Sequence, residues 1–258
     1  MQPEINLGPV TLQSFGICFA AGFAACGLLA SRRFRELGRP AEWAYESVFA
    51  ALVGGLIGAR IDYIVQNWDS ARHDLLGSLF SGSGLVWLGG VVGGAVAVLL
   101  WARWRGFLGL ALLDYAAPLL ALGYAVGRIG CQVSGDGDYG KASDAPWAMA
   151  YPHGTKPIDT KVQPTPIYES LAMGLLALFL WRLRDRVRPG ILFALWLLLS
   201  GLERLLVEFI RRNDRLALGL TLPQLISLAL AGAGAAWLLR ARRYGSSLTI
   251  SNTTSGSG

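Results

Sequence analysis

Seven apolar runs, each near the length that crosses a bilayer, constrain this chain more than any other feature. They cover roughly Val10–Ala30, Glu46–Gln66, Leu85–Trp104, Leu108–Val126, Pro166–Trp181, Ile191–Phe209 and Leu218–Leu239. A spanning helix needs about 20 such residues, because hydrocarbon cannot hydrogen-bond an unsatisfied backbone. Of the 258 residues, 53% are hydrophobic and 16% are charged. A soluble domain carries about 25% charged residues, so this chain lacks the polar surface to cover a globule in water. Its 33 glycines suit helices that pack closely in lipid. The expected fold is an all-α integral membrane protein, with one transmembrane domain over residues 1–244. A Gly-, Asp- and Pro-rich loop at 130–165 is long enough to form a small outer cap. Residues 245–258 are expected to be a polar, disordered cytoplasmic tail.

The arginines orient the helices. Arg32, Arg33, Arg35 and Arg39 follow the first run, Arg103 and Arg105 the third, Arg182, Arg184, Arg186 and Arg188 the fifth, and Arg240, Arg242 and Arg243 the last. If seven helices alternate, these thirteen share one side and seven basic residues occupy the other. The positive-inside rule then puts the N-terminus outside and the C-terminus in the cytoplasm. The formal charge of +6 is thus explained by topology. No basic stretch carries the interleaved aromatics of a nucleic-acid site. Cys18, Cys26 and Cys131 show neither paired count nor CxxC spacing, so no disulfide framework and no metal site is expected. Met1–Pro9 holds Glu4 and no Lys or Arg, unlike the basic start of a secretory signal peptide.

Ionisable groups in a bilayer cost at least about 2.5–3.5 kcal/mol each on insertion scales, so they persist where they pair or meet a charged ligand. Here they include Arg60, Asp62, Asp114, Arg128, Glu169, Glu203, Arg204 and Glu208. For Asp114 a structural pairing competes evenly with function. Three segments gather the rest. GRIGCQVSGDGDYG, Gly127–Gly140, places Arg128 at the outer end of the fourth run, ahead of Gly135, Asp136, Asp138 and Gly140. Its glycines can let backbone N–H groups wrap a phosphate, or make an ordinary turn. PTPIYES, Pro164–Ser170, puts Tyr168 and Glu169 just inside the outer interface. GLERLLVEFIRRND, Gly201–Asp214, spaces Arg204 and Glu208 i, i+4 on one helix face, with Arg211 continuing it. Such a pair is either a buried salt bridge or a clamp whose guanidinium fork meets phosphate oxygens.

In this order the segments resemble the prolipoprotein diacylglyceryl transferase family, whose GRxGNxxNGExxG-, HPxQLYE- and FRxxVEFxRxPD-like stretches they match. The likeness extends to Gly54–Trp68 and Gly84–Gly94 and covers most of the seven-span region. It implies transfer of the diacylglyceryl group of phosphatidylglycerol to the lipobox cysteine thiol of a prolipoprotein, releasing glycerol 1-phosphate. The implied partners are phosphatidylglycerol, the prolipoprotein signal peptide and membrane lipids; no cofactor, metal or nucleic acid is implied. By resemblance Arg128 and Arg204 hold the phosphate, Asp136 takes the place of the family's glutamate, and Glu208 orients Arg204. Gly135, Gly140, Tyr168, Glu169, Arg60 and Gln224 complete the substrate site.

The chain departs from the family's pattern at several polar positions. Leu88 stands for a frequent histidine, Phe15 for a tyrosine, Cys131 and Ser134 for two asparagines, Gln163 for a histidine and Ser200 for a tyrosine. His73 and His153 are the only histidines, both expected in outer loops. Attack by a thiol needs a thiolate, so another base is required, with Asp136, Asp138 and Glu169 as candidates. The alternatives are a paralogue serving another acceptor, a transporter with an arginine-lined path, and a non-catalytic membrane protein.

Overall fold

The computed structural model describes residues 2–7, 10–72, 86–213 and 219–251. Among the described residues the fold is helical, as expected, with two short antiparallel hairpins beside the helices. These are β1 (Glu4–Leu7) with β2 (Val10–Gln13), and β3 (Met149–Tyr151) with β4 (Ile158–Val162). The helices are α1 (Ser14–Glu36), α2 (Glu42–Gln66), the single turn α3 (Trp68–Ala71), α4 (Trp87–Trp104), α5 (Leu110–Ser134), α6 (Thr165–Leu183), α7 (Ile191–Glu208) and α8 (Leu222–Ser251). Six of them, all but α3 and α7, are long and apolar enough to cross a membrane. Helix α7 has 18 residues and is as apolar in its first half, but Glu203, Arg204 and Glu208 charge its second half. Helix α8 runs on to Ser251, through the start of the polar tail; residues 252–258, like His73, lie outside the described residues.

The chain packs as two compact units, residues 26–112 and residues 1–25 with 113–258. In the first, α2 and α4 meet backbone to backbone. A Cβ on Gly58 would stand 2.2 Å from the Gly89 carbonyl oxygen, and one on Gly93 would stand 2.3 Å from that of Gly54. Four-residue glycine spacing on both helices makes this approach possible, and van der Waals contact between bare helix faces is what holds membrane helices together. Asp62 accepts a hydrogen bond from the Gly89 amide at 2.9 Å, satisfying a donor at the start of α4. Phe34, Trp43, Trp101 and Phe107 form an edge-on aromatic cluster. Beside it Glu46 accepts from Trp101 Nε1 at 2.9 Å and Arg105 Nε at 2.8 Å.

In the second unit α5, α6 and α7 enclose a core of Ala117, Ala121, Ala125, Met173, Leu176, Ala177, Leu180 and Leu192. Small alanines on α5 face larger side chains on α6, so the surfaces interdigitate. Asp114 settles its two readings here. Its carboxylate accepts the Gly190 amide at 2.6 Å and the Phe193 amide at 3.1 Å, so it caps the N-terminus of α7 from a neighbouring helix.

Candidate anion-binding site

Helix α5 continues two turns past the apolar run that predicts it. Arg128 therefore lies inside the helix rather than closing it. Helix α5 ends where Gly135 enters the left-handed region at φ 62°, its amide bonding back to the Cys131 carbonyl at 3.0 Å. The Ser134 and Gly135 carbonyls accept the Thr155 and Lys156 amides, both at 2.9 Å. The loop is thereby tied to the β3–β4 hairpin, where Tyr139 stacks on Tyr151 at 4.0 Å. Burial pushes the Tyr139 phenol up to about 12, keeping it neutral.

Gly140 then meets two strands of chain. Its amide bonds to the Gln163 carbonyl at 2.9 Å, and it forms an isolated bridge with Arg211. A Cβ there would lie 2.7 Å from that of Gln163 and 2.9 Å from the Ile210 carbonyl oxygen. This glycine lets the loop, the entry to α6 and the exit from α7 share one edge. Arg211 reaches the site along that edge, three residues beyond the end of α7, and not by extending the helix face of Arg204 and Glu208.

Glu169, fully buried on α6, sits at the centre. Its Oε1 accepts Arg204 Nη1 at 2.9 Å and Arg211 Nη1 at 3.0 Å. Its Oε2 pairs with Arg128 Nε and accepts the Tyr124 hydroxyl at 3.3 Å. Asp138 bridges two of these arginines, one oxygen on Arg128 and the other on Arg211. Burial opposes charge on Asp138, but Arg128 and Arg211 outweigh it and hold the carboxyl below the usual range. Burial likewise opposes charge on Arg211, and Asp138 and Glu169 outweigh it, raising the guanidinium above its ordinary value. Three arginines from three elements thus converge on one carboxylate.

A further layer holds Arg204. Its Nη2 lies 3.2 Å from Glu208 Oε2, an ion pair without hydrogen-bond alignment. Glu208 Oε1 accepts Thr221 Oγ1 at 2.8 Å and Asn213 Nδ2 at 2.5 Å. Thr221 and Gln224 form a capping box at the start of α8. The Thr221 amide donates to Gln224 Oε1 at 3.0 Å and the Gln224 amide to Thr221 Oγ1 at 3.3 Å. Gln224 is buried, bonded to Thr221, which in turn bonds to Glu208.

Three cationic side chains face three anionic ones, Asp138, Glu169 and Glu208, so charge pairing holds the guanidiniums in place. Cys131, Asp136 and Asp138 bring potential ligand atoms within 4.8 Å of one another. Asp138 already engages two guanidiniums, and their charge repels a cation, so the chemistry suits an anion.

A sequence model of the prolipoprotein diacylglyceryl transferases matches residues 3–240. The chain belongs to that family. It is 34% identical over 254 residues to the phosphatidylglycerol–prolipoprotein diacylglyceryl transferase of Methylobacillus flagellatus, covering 91% of this chain and 94% of the relative. The corresponding protein of Methylococcus capsulatus is 32% identical, over 87% and 88% of the two chains. That of Leptospira interrogans is 31% identical, over 80% and 72%. With the six apolar helices, this makes the protein a multi-pass membrane protein.

Of the residues that the family resemblance singles out, Arg128, Arg204, Glu169 and Glu208 meet in the cluster. Asp136 lies beside it, its Oδ1 accepting the Asp138 amide at 3.2 Å. Tyr168 donates to Gln163 at 2.6 Å, and Gln163 donates to Ser143 at 2.6 Å, so glutamine fills the histidine position with a polar relay. Arg60 belongs to the other unit, on α2, 5.8 Å from the Tyr63 ring centre. His153 is exposed. Asp138 and Arg211 join the site although the resemblance assigns them no role. For Asp138 the signal was alternation with Asp136 in the glycine loop; for Arg211, which lies beyond the helix, the spacing from Arg204 did not show how it arrives.

Proposed function

We propose that this protein transfers the diacylglyceryl group of phosphatidylglycerol to the lipobox cysteine of a prolipoprotein, releasing glycerol 1-phosphate. The observation that carries this reading is the convergence of Arg128, Arg204 and Arg211 on Glu169. The lipid phosphate takes up guanidinium donors at the inner rim of the cluster. The acceptor sulfur attacks the terminal glyceryl carbon, the carbon–oxygen bond to phosphate breaks, and a thioether forms. Negative charge grows on the departing phosphate, and fixed arginines stabilise it there more than in the bound lipid, which is what lowers a barrier. Glu169 and Asp138 hold the guanidiniums in place beforehand, so little reorganisation accompanies reaction. Tyr168, Gly135 and Gly140 shape the wall of the substrate site, and Asp136 borders it.

The membrane frame of this reading has seven spans, α7 being the one whose charges are kept among protein side chains. The N-terminus faces outward, the C-terminus the cytoplasm, and the 130–165 loop with its hairpin caps the outer side of a bacterial inner-membrane enzyme. Lipid and the prolipoprotein signal peptide enter laterally. Mass spectrometry of a lipobox peptide incubated with purified protein and phosphatidylglycerol should detect the diacylglyceryl thioether. Arg128→Ala and Arg204→Ala should each abolish it; full activity in both variants would refute the assigned roles.

A further inference from the structure

Glu203 precedes Arg204 on α7, and nothing above gives it a role. Its Oε1 is shielded from solvent and has no hydrogen-bond partner. Its electrostatic neighbours are Glu169 on α6, Arg204 on its own helix, Arg128 on α5 and Arg211 beyond α7; Tyr124 on α5 also interacts with it. It therefore belongs to the arginine cluster. The cluster's other carboxylates are held fast. Glu169 and Asp138 each engage guanidiniums through both oxygens, and Glu208 is fixed by Arg204, Thr221 and Asn213. Protonating any of these would displace a cation, so they are poor proton acceptors. Among the described residues of the cluster, Glu203 presents a shielded oxygen with neither hydrogen bond nor ion pair. A buried carboxylate oxygen without a donor is costly, and a reacting proton gives it one. The FRxxVEFxRxPD-like stretch matched above has phenylalanine at this position, and Leu88 stands for a histidine frequent in the family.

We propose that Glu203 is the base that takes the proton from the acceptor cysteine. The inference rests on the transferase reading above. The thiol proton passes to a Glu203 oxygen, and the sulfur electron pair forms the carbon–sulfur bond. The carbon–oxygen bond to phosphate breaks with its pair on the phosphate, which Arg128 and Arg204 hold. Glu203 then returns the proton to the phosphate or to water, and the site is restored.

The test compares wild type, Glu203→Gln and Glu203→Ala, purified as full chains with phosphatidylglycerol vesicles and a lipobox peptide, across pH 6–9.5. General-base removal predicts a fall of about 100-fold or more in kcat near neutrality, with the KM for phosphatidylglycerol unchanged. Both variants should recover at high pH, where the peptide thiol, with a free pKa of about 8.5, ionises unaided. Formate should partly rescue Glu203→Ala and leave the folded, isosteric Glu203→Gln unaffected. Wild-type rates and pH profile in Glu203→Gln would overturn the proposal. So would a loss carried by KM with no alkaline recovery, which would make Glu203 a headgroup contact. An inactive wild type would sink the transferase reading itself, a result distinct from these.

Discussion

The two compact units solve the same problem, stability in a low-dielectric surrounding, by opposite means. Residues 26–112 remove side chains, so that α2 and α4 touch through Gly54, Gly58, Gly89 and Gly93. The unit built on α5, α6 and α7 does the reverse, burying three arginines with matching carboxylates. Apolar close packing stabilises without chemistry. A buried ion network is weak evidence for stability, because desolvation offsets most of the attraction. That contrast is why the proposed site is assigned to the second unit.

The largest expected effect comes from neutralising the hub. Glu169→Gln keeps the shape but leaves three guanidiniums without their shared anion. Breaking a buried network in this way costs about 3–5 kcal/mol. Thermal unfolding in detergent should drop sharply, and thioether formation per folded molecule should vanish. A stable, active Glu169→Gln protein would break the contrast between the units. Next comes Gly58→Ala, whose new Cβ meets a carbonyl oxygen at 2.2 Å. Overpacking predicts a loss of about 1–3 kcal/mol, read as a lower unfolding temperature. Unlike Glu169→Gln, the fraction that stays folded should keep its turnover.

Thr221→Ala removes the capping box and one of the donors to Glu208. A cost of about 1 kcal/mol should accompany a several-fold fall in kcat, because Arg204 loses part of its support. Stability loss with unchanged turnover would restrict Thr221 to capping. The smallest effect is in pH. The folded carboxyl of Asp138 sits below its unfolded value of about 3.9. Its contribution is therefore complete above that value and is lost as pH falls through the lower folded one. The unfolding difference between wild type and Asp138→Asn should stay flat from pH 8 to 5 and shrink only below about pH 4. A difference that already disappears at pH 6 would contradict the arginine pairing.

The helices were legible because twenty-residue apolar runs admit few alternatives, and Arg128, Glu169, Arg204 and Glu208 stood out as charges in apolar surroundings. Other features depended on pairing between distant segments. Nothing in the order of residues says that Glu169 binds three arginines at once, or that Arg211 arrives over a backbone edge opened by Gly140. T-x-x-Q at Thr221–Gln224 spells a capping box whose mechanism is local, and that part of the role of Gln224 was legible from spacing alone. The hairpins escaped notice because β2 merges into the first apolar run, and β1, β3 and β4 are too short to alternate visibly.

The central claim is contact between the gathered guanidiniums and a lipid phosphate. Solid-state NMR dipolar recoupling between 15N-labelled arginine and the 31P of bound phosphatidylglycerol tests it most directly. The account predicts side-chain nitrogens within about 4 Å of phosphorus, the spacing that charge-assisted N–H···O contacts impose, and loss of that coupling in Arg128→Ala and Arg204→Ala. Tight lipid binding with no such coupling in the wild type would contradict it.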